Sequence, residues 1–234
     1  MPLPKLAVPE YSCTLPVTEL EVTYRPFLVK EEKLLYLAME SGDEKEMINS
    51  VKKIIKDCTN VKKVDDLPIF EIEYLFLRIR AKAVGEVSEF KLTCPDDNET
   101  KVDYSLDLEE VNVVVPDGHT KKIKIDDKIG VVMKYPSLVQ FVNQNLKEEE
   151  ASLDDLFDLA AQCVDKVFDE EEIYDSFTKK EALEFLEGMS SEQFAKVQEF
   201  FETIPKLTHT ITVTNPKTKK ESEIVLEGLA AFFA

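Results

Sequence analysis

Leu67-Pro68-Ile69-Phe70-Glu71-Ile72-Glu73-Tyr74-Leu75-Phe76-Leu77 runs on through Ile79 to Gly85, and then Val87, Phe90 and Leu92 begin a different rhythm. The first part predicts a helix that starts near Leu67-Pro68, where proline is tolerated in the first turn, and stops at Gly85. Ile69, Ile72, Tyr74, Leu75, Phe76, Leu77 and Ile79 leave that helix little polar surface. It is expected to be buried on most sides or covered by a partner. The second part predicts strands. A buried helix giving way to short strands makes the fold class α+β.

Upstream, two further helices are expected. Leu34, Leu35, Leu37, Ala38 and Met39 crowd a short one that ends near Ser41-Gly42. Asp43 and Glu46 have the spacing of a capping box. Met47, Ile48, Val51, Ile54, Ile55 and Cys58 then form one helical face, with Lys52, Lys53 and Lys56 opposite or flanking. Residues 1–26 read as an extended arm, punctuated by Pro2, Pro4, Pro9, Pro16 and Pro26. Within it Leu20, Val22 and Tyr24 alternate as in a strand. The arm either packs on its own domain or reaches a neighbour.

Downstream, Val102, Tyr104 and Leu106 alternate with Asp103, Ser105 and Asp107, and Val111–Val115 stops at Pro116-Asp117-Gly118. Ile123, Ile125, Ile129, Val131 and Met133 predict more strands. Residues 86–136 are thus expected to form a small antiparallel sheet inserted between helical parts. Residues 137–204 return to helix. Leu138, Val139, Phe141 and Val142 form one stretch, and Leu153, Leu156, Phe157, Ala160, Cys163, Val164 and Val167 form an amphipathic face. Thr178 with Glu181 and Ser190 with Gln193 match capping boxes. Residues 205–234 predict a hairpin, with Asn215–Lys220 as its loop, and a bare apolar tail containing Leu229, Phe232 and Phe233. The regions are therefore 1–26 arm, 27–85 helical, 86–136 β insert, 137–204 acidic helical, and 205–234 hairpin and tail.

Charge excludes several function classes. The 234 residues carry 47 acidic against 29 basic side chains, a net charge of -18. Nucleic acid and anionic membrane surfaces both require a basic face. No apolar run approaches the roughly 20 residues of a membrane span. Met1-Pro2-Leu3-Pro4-Lys5-Leu6 has no apolar segment of the signal-peptide kind, so a cytoplasmic location is expected. The acidic stretch Glu148–Glu172, with Lys166 its only base, reads as solvated helix faces or as a docking face for a basic partner.

Catalytic chemistry is poorly supplied. The six glycines are scattered, so no phosphate-cradling loop is present. The two histidines, His119 in a turn and His209 at a strand start, lack a Ser or Cys neighbourhood of the catalytic kind. Acid pairs such as Asp126-Asp127 and Asp154-Asp155 arise by chance among so many carboxylates, and no calcium-loop spacing occurs. Cys13, Cys58, Cys94 and Cys163 are far apart and read as buried single thiols in a reducing compartment. No catalytic, cofactor-binding or metal-binding residue is assigned, and no cofactor is expected.

One segment has the rhythm of a zinc-ribbon knuckle. Phe90-Lys91-Leu92-Thr93-Cys94-Pro95 and the returning Thr100-Lys101-Val102-Asp103 flank a turn in which Asp97 stands where a second thiolate would be. The C-terminal hairpin has the same shape, with Thr214 to Lys217 in its turn and no cysteine. Zinc cannot be assembled from Cys94 alone. Two readings remain: a ribbon that kept its hairpins and lost its metal, or two ordinary hairpins.

Met1–Leu6, then Tyr24-Arg25-Pro26-Phe27-Leu28-Val29-Lys30-Glu31-Glu32-Lys33, resembles the baseplate proteins of T-even-type contractile-tailed bacteriophages. Leu34-Leu35 to Ala38-Met39-Glu40-Ser41, Ile54–Cys58, Leu67–Leu77, and Ile224–Leu229 before Phe232-Phe233 fit the same pattern. The resemblance implies a role in building the baseplate hub, the central part of the tail's lower end. It implies other hub proteins as partners, and it suggests no catalytic residue. It also implies Cys pairs in the two hairpins of related chains, from which this chain departs. The expected function is a non-enzymatic hub subunit or hub-assembly factor, found in the host cytoplasm during assembly or in the virion tail. A tail-associated hydrolase and a cytoplasmic chaperone-like adaptor absent from the virion are the alternatives.

Overall fold

The structure, a computed structural model, describes residues 6–138, 140 and 153–232. The chain divides into two compact units, one from Met1–Val114 with Lys206–Ala234, the other from Val115–Pro205. Both mix helices with small antiparallel sheets, so the α+β class holds.

The first unit is built around the apolar helix. Strands β1 (Tyr11–Thr14) and β2 (Glu21–Tyr24) form a hairpin, followed by helices α1 (Val29–Ser41), α2 (Glu44–Cys58) and α3 (Ile69–Val84). Helix α1 ends on Gly42 at φ 66°, a left-handed conformation that glycine adopts without a Cβ penalty. In α2 the apolar face carries burial as expected, with Val51, Ile54, Ile55 and Cys58 inside. Pro68 precedes α3 and Gly85 follows it. Phe70, Ile72, Leu75, Leu77 and Ile79 are all at most 1% exposed. Helix α3 packs on α2, on strands β5 (Asn112–Val114) and β10 (Lys206–Thr214), and on a short 3-10 turn at Leu229–Phe232.

Of the two readings of the arm, the described residues 6–26 fit the one in which it packs on its own domain: Leu15, Val22 and Tyr24 are buried, and Glu71 of α3 binds the β1–β2 turn. One correction follows in this unit. The stretch 86–136 is not one sheet. Strands β3 (Val87–Thr93) and β4 (Lys101–Asp107) pair only with each other, whereas β5 lines up on β10, with Val113 opposite Leu207. Strand β11 (Glu221–Glu227) completes that sheet in the order β11-β10-β5. Buried Arg78 explains why β5 can leave β4: its guanidinium donates to the carbonyls of Leu108 (3.2 Å) and Val111 (2.9 Å) and fixes the connection.

The second unit holds the rest of the β stretch. Strands β6 (Lys122–Lys124) and β7 (Gly130–Met133) join β8 (Val164–Phe168) and β9 (Ile173–Tyr174) in one four-stranded sheet. Helices α4 (Leu153–Cys163), α5 (Lys179–Glu187) and α6 (Ser191–Glu202) supply its apolar cover. Ile123, Val131 and Met133 pack with Leu159, Cys163, Ala182, Leu186, Val197 and Phe200. The expected helical face through Val164 and Val167 is corrected here. The helix stops at Cys163 and the β-branched residues beyond it extend along β7. The two capping boxes expected in this unit form: Thr178 with Glu181, and Ser190 with Gln193. Gly130 leaves room for the ring of Phe168, which would have to shift if a Cβ were placed there. Of the expected stretch near 138–142, Val139, Phe141 and Val142 lie outside the described residues, as does the start of the acidic run.

Candidate functional site: two facing hairpin turns

The β3–β4 and β10–β11 turns share the backbone pattern of their first five residues, the β3–β4 turn then taking one residue more before it closes. Cys94 N–H donates to Thr100 O (2.7 Å) and Asn215 N–H to Lys220 O (2.9 Å). Four residues on, Asn98 and Lys219 return N–H to Cys94 O and Asn215 O, each at 2.9 Å. Both adopt positive φ, 54° and 60°. In each, a proline sits second, at Pro95 and Pro216. A ribbon's four ligand positions therefore fall on Cys94, Asp97, Asn215 and Thr218.

The structure brings these turns together. Asp96 Oδ1 accepts from Asn215 Nδ2 at 2.8 Å, and Asp96 Oδ2 accepts from the Thr218 hydroxyl. Asn215 is 1% exposed and Cys94 0%. The donors from Thr218 and then Asn215 hold the Asp96 carboxyl below its ordinary range. Asp97 is also held low, chiefly by the hydroxyl and amide of Thr100. Sequence reading located the turns but missed Asp96, since only their pairing in space gives that carboxylate a partner.

Those residues do not fit a metal. Asp97 Oδ1 accepts the amides of Glu99 (3.0 Å) and Thr100 (2.9 Å), and Oδ2 accepts the Thr100 hydroxyl at 2.6 Å. Asn215 Oδ1 accepts the amides of Lys217 (2.8 Å) and Thr218 (3.3 Å). The lone pairs a cation would need are directed at donors of the protein. Cys94 carries a thiol pushed up by burial and then by Asp96 and Asp97. Among the described residues, no group of three or more His, Cys, Asp or Glu is placed to hold a metal ion.

The other candidates are structural in their contacts. His119 Nδ1 lies 2.9 Å from the Thr203 hydroxyl and Nε2 2.9 Å from the Tyr135 hydroxyl, and its ring stacks on Phe200. Burial, and then Lys121, lower its pKa, so the neutral ring is favoured. His209 sits in β10 opposite Leu226. Asp126 accepts the amides of Lys128 and Ile129, and Asp169 those of Glu171 and Glu172, all at 2.8 Å. These acids close turns. Asp154 and Asp155 lie in the first turn of α4, where carboxylates favour the helix dipole. All four cysteines are free thiols, and burial pushes Cys58 up to about 11 and Cys163 to about 12. Neither value suits a nucleophile at neutral pH.

Apolar side chains also reach the surface. On α1, Val29, Tyr36, Leu37 and Met39 are between 52% and 79% exposed. Among the described residues, no helix is long and apolar enough to cross a membrane.

No curated protein matches this chain, and no solved structure does. The model of one family, described as T4 bacteriophage base plate protein, matches residues 8–234. With a match over nearly its whole length, the chain belongs to the T4 bacteriophage base plate protein family.

Proposed function

We propose that the protein is a non-enzymatic part of the baseplate hub, a subunit or an assembly factor, and that it acts through contacts with other hub proteins. The observation that carries this reading is the family match over residues 8–234. The side chains support it. His119, the buried thiols and the carboxylates of Glu71 and Asp97 are engaged in turns and packing. The exposed apolar residues of α1 suit a protein neighbour better than water. On this reading the chain is made in the host cytoplasm and meets its partners there.

Hub intermediates and finished particles purified from infected cells test it by mass spectrometry. Co-purification with hub intermediates is expected. Presence in particles would make it a subunit, and absence from them an assembly factor. Recovery only with peripheral baseplate proteins, or only as free chain, would overturn the hub assignment. Cleavage of peptidoglycan by the purified chain would overturn the non-enzymatic one.

A further inference from the structure

We infer that the turns at Cys94–Asn98 and Asn215–Lys219 are a pair of metal-ribbon knuckles in which a hydrogen-bonded clasp, centred on Asp96, does the joining that a bound metal would do. Turn geometry alone does not carry this. Leu15-Pro16-Val17-Thr18-Glu19 has the same backbone, with Glu19 N–H donating to Leu15 O at 3.1 Å and Glu19 at φ 57°, and it faces no second knuckle. Such four-residue hairpin loops are common. The discriminating facts are mutual. Residues 119 and 122 positions apart in sequence, Asp96 with Asn215 and with Thr218, meet through side chains from the tips of two separate hairpins. Three of the four ligand positions of a ribbon carry oxygen-bearing side chains, and the fourth keeps a wholly buried cysteine.

Each replacement also performs a ligand's local task. In a knuckle the turn amides point at the ligand atom. Here Asn215 Oδ1 takes the amides of Lys217 and Thr218. In the β1–β2 turn, where Leu15 stands at the place of Asn215 and Thr18 at that of Thr218, the corresponding amides of Val17 and Thr18 go instead to Glu71 Oε1 at 3.2 and 2.7 Å, and the Thr18 hydroxyl goes to Glu71 Oε2 at 2.9 Å. In these two turns the amides are met by the chain's own Asn215 oxygen or by a carboxylate from elsewhere, the place that a metal-bound thiolate takes in a knuckle. Across the gap, Asp96 accepts from both Asn215 and Thr218, which ties one hairpin tip to the other without a cation.

The consequence is a chain whose two hairpin tips stay joined when zinc is scarce, and a backbone that still frames a four-thiolate site. The test uses the full chain and zinc alone. The natural protein is expected to contain no stoichiometric zinc, and a chelator should leave its melting temperature unchanged. The triple variant Asp97→Cys, Asn215→Cys, Thr218→Cys, refolded with zinc and checked by circular dichroism, is expected to hold one zinc per chain and to lose melting temperature on chelation. Cobalt substitution should give the absorption of a tetrahedral thiolate site. If the triple variant does not fold, Asp96→Ala in the natural background decides: faster amide hydrogen exchange in both turns is expected, together with a lower melting temperature. About one zinc in the natural protein overturns the inference. So does a folded triple variant without stoichiometric zinc, and so does an Asp96→Ala chain with unchanged exchange in the 215–219 turn.

Discussion

Glu71 grips Thr18 with both carboxylate oxygens: Oε1 accepts its amide at 2.7 Å and Oε2 its hydroxyl at 2.9 Å. The pair is 53 residues apart in sequence, and Glu71 is 0% exposed. It anchors the N-terminal hairpin to the first turn of α3. Glu71→Gln leaves one acceptor oxygen and turns an NH2 group toward donors. The expected cost is about 1–3 kcal/mol, the penalty of unsatisfied buried donors. Limited proteolysis should cut the chain before Thr18 faster in the variant. Unchanged urea unfolding together with unchanged cleavage would mean that the hairpin is held by its apolar contacts alone.

Leu75 and Ile79 lie one turn apart on α3, and both are 0% exposed. Leu75→Ala removes apolar volume from a site closed on every side. Denaturant unfolding should show a loss of about 2–5 kcal/mol. A loss below about 0.5 kcal/mol would place Leu75 at a surface and contradict the packing of α3.

Local chemistry was legible in the sequence, and pairing between distant segments was not. The periodicity of Val51, Ile54, Ile55 and Cys58 marks the buried face of α2, and Thr178 and Ser190 mark helix starts, because these signals need only a few neighbouring residues. Val113 gives no local sign that its partner is Leu207, nor Val131 that its partner is Val167. A run of alternating residues fixes strand character but not sheet membership, so one expected sheet became parts of three. Val164 and Val167 fit the end of an amphipathic helix because helical and strand periods agree over so few residues. The knuckle turns were visible through their prolines, yet Asp96 became meaningful only beside Asn215 and Thr218.

His119 makes stability depend on pH in a defined direction. Burial, and then Lys121, lower its folded pKa, while the unfolded chain takes up its proton near about pH 6.5. Below that value the unfolded state binds more protons. The stabilisation is therefore full above about pH 6.5 and is lost as pH falls through the folded pKa. Glu73, whose pKa burial raises, works in the opposite sense, so the comparison is made against His119→Gln rather than read from one curve. Melting temperatures between about pH 7 and pH 5.5 should fall more steeply for the natural chain than for the variant. Parallel curves would show that protonation of His119 is not linked to folding.

The C-terminal segment is expected from sequence to be a bare apolar tail that either binds a neighbour or caps its own core. Phe233 and Ala234 lie outside the described residues, but Phe232 is 0% exposed. The approach to it is also fixed. Gly228 turns the chain at φ 72° and donates to Leu207 O at 2.9 Å, and Leu229 N–H donates to Glu73 Oε1 at 3.1 Å. A side chain so enclosed is core, and the interface reading is withdrawn for Phe232. Removing a fully buried phenylalanine costs about 3–5 kcal/mol. Phe232→Ala, and deletion of residues 230–234, should both lower the melting temperature sharply. Binding to other baseplate proteins in a pull-down should then fall only in proportion to the folded fraction. If the truncated chain melts like the natural one and yet loses its partner, Phe232 is an interface residue after all and its burial against α3 is wrong.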